Sequence, residues 1–391
     1  MIVLAGKNNI AVASLSYLVN ELNVKQENIA VVCNKSENGC DGWQLSLRKR
    51  AKELGIMEIT LEESQNRADF FISLEFDQII RPERFKTDKL FNIHFSLLPK
   101  YKGMYTSIWP ILHGDNESGT TLHLIDAGID TGDIIDQDAF VLTESDCSKD
   151  LYLKLIDSGI RLLQKNIKHI LHGSYKKKSQ RFRGSSYFSK ASICFSDIRI
   201  DLNKTAWEIG RQIRAFSFRD YQLPTVHGKT VVNFEILDSR SLRRPGEIIE
   251  EHEESICIST VDYDMVLYAD KIDSIFSLIG NEYGNNIGKL IKNIINIDDR
   301  NSKSWTLLMI AAYNGNLNLV KELVGLGANV NSENFKGTSV LMYAKDNVLK
   351  TNNNELFKFL LKMKADLGHK DFLGKSIREY VTNEQYNFLL H

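Results

Sequence analysis

The sequence has no apolar run that approaches the roughly 20 residues required by a membrane-spanning helix. Its amino-terminal residues 1–6, MIVLAG, are too few for the apolar region of a secretory signal peptide and lack the basic start of one. We therefore expect a soluble, cytoplasmic protein that does not bind a membrane.

Cysteine is also scarce. The chain has five cysteines in 391 residues, an odd number, and they are scattered. None has a neighbour at the spacing of metal ligands. This usage is typical of free thiols in a reducing cytoplasm and predicts no metal site. The cysteines are Cys33, Cys40, Cys147, Cys194 and Cys257.

An excess of one charge is missing as well, since the net charge is −1 and the isoelectric point is about 6.8. The protein therefore has no overall positive electrostatic field that would favour binding to nucleic acid, and we expect no nucleic-acid partner. Apolar residues make up 43% of the chain and charged residues 25%, an ordinary globular composition. At roughly 150 residues per domain, the length predicts two or three domains.

The first hundred residues alternate between apolar strand patterns and helical patterns. This alternation predicts a doubly wound α/β sheet, whose ligands bind beyond the carboxyl ends of the strands. The predicted strands are residues 2–6, 29–33, 70–74 and 90–95, and the predicted helices are residues 9–22 and 45–54.

Candidate catalytic residues follow the fourth predicted strand. Asn92 and His94 are two residues apart, so both side chains leave one face of an extended strand. Asp130 lies between Gly128 and Gly132, in a run too rich in glycine for a regular element. Together the three side chains can supply an amide donor, a proton shuttle and a carboxylate that orients the shuttle. On the residues alone, a hydrogen-bonded core histidine explains His94 equally well.

Two motifs resemble those of the folate-dependent formyltransferases. Residues 92–99, NIHFSLLP, resemble the active-site strand of that family, and residues 126–133, DAGIDTGD, resemble its second signature. Residues 100–103 and 109–114 also follow the family pattern, in the same order along the chain. The resemblance implies a Rossmann-like catalytic domain in which Asn92, His94 and Asp130 are catalytic.

The resemblance also implies the co-substrate, N10-formyltetrahydrofolate, and requires no metal. In the family, backbone groups of the loop after the third strand hold the pterin ring. By position, the predicted cofactor-binding residues are Phe76, Asp77, Gln78, Ile79, Ile80 and, in the second signature, Asp133.

The middle of the chain, residues 190–280, resembles the sugar formyltransferases. A predicted helix over residues 205–216 carries an Ile-Arg-Ala-Phe pattern and leads to a turn around Tyr221, followed by a small β region. In the family this turn lies near the nucleotide, so Tyr221 is a candidate to stack on a base, although it can equally close a core. The predicted substrate-binding residues are Asn9, Lys102, Tyr221, Gln222 and Trp305.

A basic run follows the helical pattern of residues 150–173. We expect an exposed hairpin tip there, because charged runs are most often simply solvated. The basic residues are Lys176, Lys177, Lys178, Arg181 and Arg183.

The last hundred residues contain an internal repeat. Residues 304–311 align with residues 337–344, a period of 33 that resembles ankyrin repeats. Two full units and a truncated third are near the lower limit for a stable stack. Trp305 occupies a turn position that is usually exposed and polar. It either packs against the middle domain or forms a platform for a flat ligand, such as a second nucleotide-sugar molecule.

The predicted domains are a formyltransferase domain (1–188), a small nucleotide-sugar-contacting α+β domain (189–282) and all-α ankyrin repeats (283–391). The resemblance to the sugar formyltransferases implies a reaction that transfers a formyl group to the amine of a dTDP-linked amino-dideoxyhexose, for O-antigen synthesis. We favour dTDP-3-amino-3,6-dideoxyglucose, although the sequence leaves C3 and C4 amines open. We also expect a homodimer.

Three alternatives share parts of these patterns. A methionyl-tRNA formyltransferase normally has a basic surface for tRNA, which a net charge of −1 does not indicate. A glycinamide ribonucleotide formyltransferase would leave about 190 carboxyl-terminal residues unexplained. The chain could also be an ankyrin adaptor with an inactive enzyme domain, but such a domain has no physical reason to retain all three polar residues.

Overall fold

The computed structural model describes residues 1–280, 291–301, 303–334, 336–371 and 373–390. The chain forms two compact units: residues 1–200 with 208–224, and residues 201–207 with 225–391. The predicted limit at 188 precedes the end of the first segment, and the predicted limit between 282 and 283 lies outside the described residues. The three-domain division stays a prediction.

A seven-stranded sheet forms the centre of the first unit, with strand order β3-β2-β1-β4-β5-β7-β8. Its first five strands are parallel, and β7 and β8 continue the sheet antiparallel. A separate parallel pair joins β6 to β9. The strands are β1 (Ile2–Gly6), β2 (Ile29–Cys33), β3 (Met57–Glu58), β4 (Phe70–Leu74), β5 (Leu90–His94), β6 (Lys102–Gly103), β7 (Glu117–Leu124), β8 (Ile134–Val141) and β9 (Tyr187–Phe188).

Both faces of this sheet are buried at its central strands. Along β1, Ile2 and Leu4 belong to one apolar cluster, while Val3 and Ala5 belong to another, because successive side chains leave opposite faces. This pattern confirms the predicted α/β class. The helices are α1 (Asn8–Asn20), α2 (Leu47–Glu53), α3 (Leu61–Arg67), α4 (Trp109–His113), α5 (Ser148–Leu171) and α6 (Ala206–Phe216), with short 3-10 turns at Gln26–Asn28, Pro82–Arg84, Lys190–Ser192 and Phe195–Asp197.

The second unit begins with a five-stranded antiparallel sheet of order β10-β11-β14-β13-β12. Strand β11 is longer than the predicted segment 230–237 and contains irregularities in its register with β14. The strands are β10 (Thr225–Val226), β11 (Lys229–Arg240), β12 (Ile248–Glu251), β13 (Ser255–Ile258) and β14 (Tyr263–Ala269).

Helical pairs follow, as the 33-residue period predicts. Thr306 and Ser339 occupy equivalent positions, and each hydroxyl accepts a hydrogen bond from the backbone N–H three residues later, which begins a helix. None of the helices in the described residues combines the length and apolarity needed to cross a lipid bilayer. The helices are α7 (Ile272–Gly280), α8 (Leu307–Asn314), α9 (Leu317–Gly325), α10 (Val340–Thr351), α11 (Glu355–Lys362), α12 (Ile377–Tyr380) and α13 (Asn383–Leu390), with a 3-10 turn at Ile291–Asn293.

Candidate active site

Strand β5 positions two of the predicted catalytic residues. Asn92 and His94 are alternate residues of one strand, so their side chains share a face. In the register with β7, Asn92 pairs with His123 and His94 with Thr121. His94 is 7% exposed, and Asn92 is half-buried. The polar face therefore lies at the carboxyl end of a parallel strand, where ligands of doubly wound sheets bind.

The surroundings of His94 identify its basic nitrogen. Its Nε2 lies 2.8 Å from the carbonyl oxygen of Tyr101, and a carbonyl oxygen can only accept, so Nε2 carries the hydrogen. Its Nδ1 lies 3.5 Å from Oδ2 of Asp130. Burial lowers the pKa of His94, and the negative charge of Asp130 opposes this effect in part. At neutral pH, His94 is thus an uncharged base whose Nδ1 faces a carboxylate.

Asp130 is held in the ionised state by its neighbours. Burial alone would favour its neutral acid, but His94, His123 and the Gly103 N–H lower its pKa well below the usual range. The Gly103 N–H donates to Oδ2 of Asp130 over 2.8 Å. Gly103 has a φ of 88°, and a Cβ there would lie 2.2 Å from the carbonyl oxygen of Phe188. Only glycine lets the backbone approach Asp130 in this conformation.

His123 is part of the site and was not among the residues predicted from the sequence. It is 2% exposed, and its Nδ1 lies 2.7 Å from the carbonyl oxygen of Leu124, so Nδ1 donates. Its Nε2 lies 3.1 Å from Nδ2 of Asn92 and 3.6 Å from Oδ1 of Asp130. The polar residues Thr121 and His123, two apart on β7, were the signal in the sequence that could have indicated His123. They point to the site only when β7 is known to pair antiparallel with β5.

The predicted pterin loop has a backbone suited to main-chain recognition. It directly follows β4, and Glu75 at its start has a φ of 56°. Within the described residues, no backbone group of residues 76–80 pairs with another backbone group. Phe76 and Ile80 pack against the apolar cluster beneath them, while Ile79 is 73% exposed. Unpaired backbone donors and acceptors over an apolar floor fit a flat heterocycle with polar edges.

The structure places other predicted residues around this centre. The Nζ of Lys102 lies 3.2 Å from Oγ of Ser185, and its charge is one cause of the lowered pKa of His94. The backbone N–H of Asn9 donates to Gln44, and its Oδ1 accepts from the N–H of Leu45. Asn9 lies within the first turn of α1 and connects it to the loop at Gln44 and Leu45, so it does not cap the helix.

Asp133 is occupied by contacts within the protein. Its Oδ1 accepts from the hydroxyl of Ser179, and its Oδ2 lies 3.4 Å from Nζ of Lys177. These contacts come from the basic segment that follows α5. That segment is therefore partly anchored to the second signature rather than wholly solvated, because its polar side chains find partners there.

Tyr221 belongs to an aromatic cluster. Its ring is edge-on to Trp43 at 5.7 Å and tilted to Phe218 at 4.7 Å, yet the residue is 58% exposed. Gln222 and Phe218 exchange two backbone hydrogen bonds, which close the turn that presents the ring. The Tyr152 ring of the cluster lies 6.0 Å from Phe95, the residue after His94. More than half of Tyr221 is thus exposed, at the end of an aromatic cluster that extends to Phe95.

Trp305 lies in the second unit and is half-buried rather than exposed. Its ring centroid is 4.4 Å from that of Tyr343 and 5.6 Å from that of Tyr313. Tyr343 belongs to the following repeat, so Trp305 connects two repeats. We expected the middle domain or a ligand to pack against the Trp305 ring. These two tyrosines supply part of that packing.

Comparison with known proteins identifies three parts of the chain. Residues 3–167 match the family described as formyl transferase, residues 193–272 match the formyl transferase C-terminal domain, and residues 277–371 match ankyrin repeats in three copies. A curated relative, methionyl-tRNA formyltransferase of Clostridium tetani (strain Massachusetts / E88), is 29% identical over 74% of this chain and 97% of its own.

Two solved structures are more similar in sequence. The N-formyltransferase from Helicobacter canadensis, in complex with folinic acid and dTDP-3-aminofucose, is 43% identical with a TM-score of 0.62, over 68% of this chain and 98% of that one. The sugar 3N-formyl transferase WlaRD, in the presence of dTDP and 5-N-formyl-THF, is 44% identical with a TM-score of 0.64, over 68% and 97%. The chain therefore belongs to the sugar N-formyltransferase family: it is a folate-dependent formyltransferase that carries ankyrin repeats at its carboxyl-terminal end.

Proposed function

We propose that the enzyme transfers the formyl group of N10-formyltetrahydrofolate to the primary amine of a dTDP-linked amino-dideoxyhexose. The observation that carries this proposal is the buried arrangement of Asn92, His94 and Asp130 at the carboxyl end of β5. Two relatives more than 40% identical were crystallised with dTDP or a dTDP-amino sugar and with a formylated folate, which supports the same pair of substrates here.

His94 acts as the base. An amine must be neutral to attack, and the uncharged His94 accepts its proton at Nδ1. Asp130 then stabilises the charged imidazole across 3.5 Å. As the amine nitrogen bonds to the formyl carbon, one proton of the amine passes to His94. The bond from that carbon to N10 then breaks, and His94 delivers this proton to N10. Atoms and charge balance over the cycle.

Asn92 and protonated His94 stabilise the negative charge that develops on the formyl oxygen. One N–H of the Asn92 carboxamide is directed to His123. The same Nδ2 lies 3.5 Å from Oδ1 of Asp130, a long contact that the second N–H would exchange for one with the formyl oxygen. A well-placed donor of this kind is worth about 3–4 kcal/mol of transition-state stabilisation in other enzymes.

Residues 76–80 bind the co-substrate through their unpaired backbone groups, with Asp133 in a supporting position. The co-substrate supplies the formyl carbon as electrophile. Phe76 and Ile80 provide an apolar floor, because both pack on the cluster beneath the loop. The protein thereby orients the co-substrate at the strand end that carries His94.

Substrate selection falls to the residues around the aromatic cluster. Tyr221 stacks on thymine through its exposed face, and Gln222 closes the turn that holds it. Asn9 follows β1, and Lys102 lies near enough to His94 to lower its pKa. A lysine in this position also suits the negative charge of a sugar diphosphate.

We infer further that the acceptor is dTDP-3-amino-3,6-dideoxyglucose and that the product serves O-antigen synthesis in the cytoplasm. The relative crystallised with dTDP-3-aminofucose and the one described as a 3N-formyl transferase support the C3 amine. We also propose the three-domain division at 188 and 282 and a homodimeric assembly.

For Trp305 we propose a role in a second nucleotide-sugar site, on the ankyrin repeats. The tryptophan is half-buried and lies beside Tyr313 and Tyr343, so an aromatic surface is present. Occupation of that surface would bias the catalytic unit by a coupling of about 1–3 kcal/mol.

The experiment that tests the proposed function offers the enzyme N10-formyltetrahydrofolate with dTDP-3-amino and dTDP-4-amino sugars, and separately with methionyl-tRNA. Mass spectrometry should detect a formylated dTDP-3-amino sugar. Formylation of methionyl-tRNA alone would overturn the proposal in favour of the tRNA enzyme. Absence of turnover with all acceptors, together with no binding of dTDP, would favour an adaptor.

A further inference from the structure

The segment after α5 contacts both the loop that carries Asp130 and strand β6, and we name residues 178–188 the strap. Its first part forms a bridge between Lys178 and Ile134, in which the two backbone groups exchange hydrogen bonds of 2.8 Å. Its last part is β9, which pairs with β6. Between these anchored ends, Phe182 is 98% exposed. The five basic residues of the run are all exposed, as predicted, although the strap is anchored at both ends.

Gln180 lies at the first anchor and contacts the loop that carries Asp130. Its Nε2 donates to the carbonyl oxygen of Asp130 and to that of Gly132, each over 2.8 Å. These two bonds use both N–H groups of the carboxamide and determine its orientation, because the opposite orientation would place Oε1 against two carbonyl oxygens. Within the described residues, Oε1 is buried without a hydrogen-bond partner.

The loop that Gln180 contacts is one that needs support. Asp130 has a φ of 52°, a left-handed conformation that residues other than glycine seldom adopt, although aspartate tolerates it better than most. Gly132 has no room for a side chain, since a Cβ there would lie 1.9 Å from the carbonyl oxygen of Leu124. Strained backbone of this kind persists only when its surroundings hold it in place.

The strap also positions the backbone N–H of Gly103, which donates a hydrogen bond to the Asp130 carboxylate. The Gly103 N–H that donates to Asp130 belongs to β6, which pairs in parallel with β9. The ring of Phe188 in β9 stacks on Trp109 with centroids 3.8 Å apart and planes 16° apart. One segment thus determines the position of the Asp130 backbone and of the N–H that orients its carboxylate.

We propose that Gln180 is a positioning residue of the formyl-transfer reaction, which keeps the Asp130 carboxylate opposite Nδ1 of His94 by clamping the carbonyl groups of Asp130 and Gly132. The inference rests on the proposed catalytic roles of His94 and Asp130. Gln180 acts through the loop and touches neither substrate, so its removal affects turnover more than binding. The buried, unpaired Oε1 of Gln180 is energetically unfavourable. The fold tolerates it because this orientation places Nε2 on the two carbonyl groups.

The test compares Gln180→Met with the wild-type protein. Methionine has a similar shape and no donor, so the loop loses both hydrogen bonds while the packing is retained. We expect kcat to fall about 10- to 100-fold, because a catalytic group displaced by about 1 Å can lose that much. The KM values of both substrates should stay within a factor of about three, as expected when only the transition state is affected.

A pH profile separates positioning from a merely structural role. The Asp130 charge raises the pKa of His94, so a carboxylate that moves away should shift the acid limb of kcat to lower pH. Gln180→Glu should reduce kcat more than Gln180→Met, because a carboxylate would face two carbonyl oxygens. Phe182→Ala is the control on the exposed tip of the strap and should retain wild-type kcat.

The proposal is overturned if both Gln180 variants retain kcat within about threefold of the wild type. It is equally overturned if kcat falls without any change in the pH profile while the melting temperature falls in proportion. A different result would contradict the proposed function itself. A His94→Ala variant that stays active contradicts the mechanism, whatever the activity of the Gln180 variants. An inactive His94→Ala variant with unaffected Gln180 variants removes this inference alone.

Discussion

The Nδ2 atom of Asn92 lies 3.1 Å from Nε2 of His123, and this contact determines which way the Asn92 carboxamide points. His123 donates through Nδ1 to a backbone carbonyl, so its Nε2 can only accept while the ring is neutral. An N–H of Asn92 must therefore face His123. The sequence contains both residues, but only the pairing of β5 with β7 connects them.

The His123 contact leads to the first prediction. His123→Ala should lower kcat about 10-fold with little change in KM, because Asn92 loses the acceptor that orients its donor. His123→Gln should recover part of the loss, since its Oε1 can accept the same hydrogen bond. Steady-state kinetics with both variants provide the measurement. Equal kcat for the alanine and glutamine variants would contradict an orienting role.

The catalytic residues themselves give the second prediction. His94→Ala and Asn92→Ala should each reduce kcat by about two orders of magnitude or more, since each removes a group that acts on the reacting atoms. The binding of the dTDP-sugar should be nearly intact in calorimetric titration. Near-normal turnover of His94→Ala at neutral pH would show that another group is the base.

The burial of His94 predicts how activity depends on pH. Its pKa is lowered, mainly by burial, so the neutral base is present down to a pH below the ordinary value of about 6.5. The kcat should therefore stay constant through neutral pH and fall only in the acid range, as the ring becomes protonated before attack. In Asp130→Asn, the charge that raises this pKa is gone, and the remaining activity should fall at a still lower pH. An acid limb above pH 7 would be inconsistent with this arrangement.

Tyr221 gives a prediction about nucleotide binding. If its exposed ring stacks on thymine, Tyr221→Ala should weaken dTDP binding by about 1–3 kcal/mol, the range of base–aromatic stacking. Tyr221→Phe is the matched control, because it keeps the ring and should bind dTDP as the wild type does. The dissociation constants are measurable by calorimetry. An unchanged constant for the alanine variant would assign Tyr221 to the aromatic cluster alone.

Trp305→Ala separates the two roles considered for the repeats. The Trp305 ring contacts the Tyr343 ring of the next repeat at a tilt of 51°, and such aromatic pairs contribute about 0.5–1.5 kcal/mol beyond the area they bury. A purely structural role predicts a lower melting temperature and an unchanged number of dTDP molecules bound. A ligand site predicts the loss of one dTDP per chain at nearly constant stability. Melting curves and titration stoichiometry distinguish these outcomes.

The regular elements were predictable because their patterns are local. Strands β1, β2 and β4 coincide with the predicted ones, and β5 ends one residue before its predicted end, since the alternation of apolar and turn residues depends only on neighbours along the chain. Strand β3, with two residues, and helix α3 have no comparable pattern. Met57 and Glu58 join the sheet only because β2 is beside them.

The sequence by itself determined the α/β class, the repeats, the polar pair Asn92 and His94 on one face of a strand, and the motif that contains Asp130. It could not assign the basic nitrogen of His94, because the carbonyl of Tyr101 approaches it only in the folded chain. Nor could it place His123 and Gln180 at the site, which they reach through strand pairing and through a segment that returns after α5. Contacts between residues far apart in sequence depend on register and loop path, and these are decided by packing of the whole unit rather than by any local pattern.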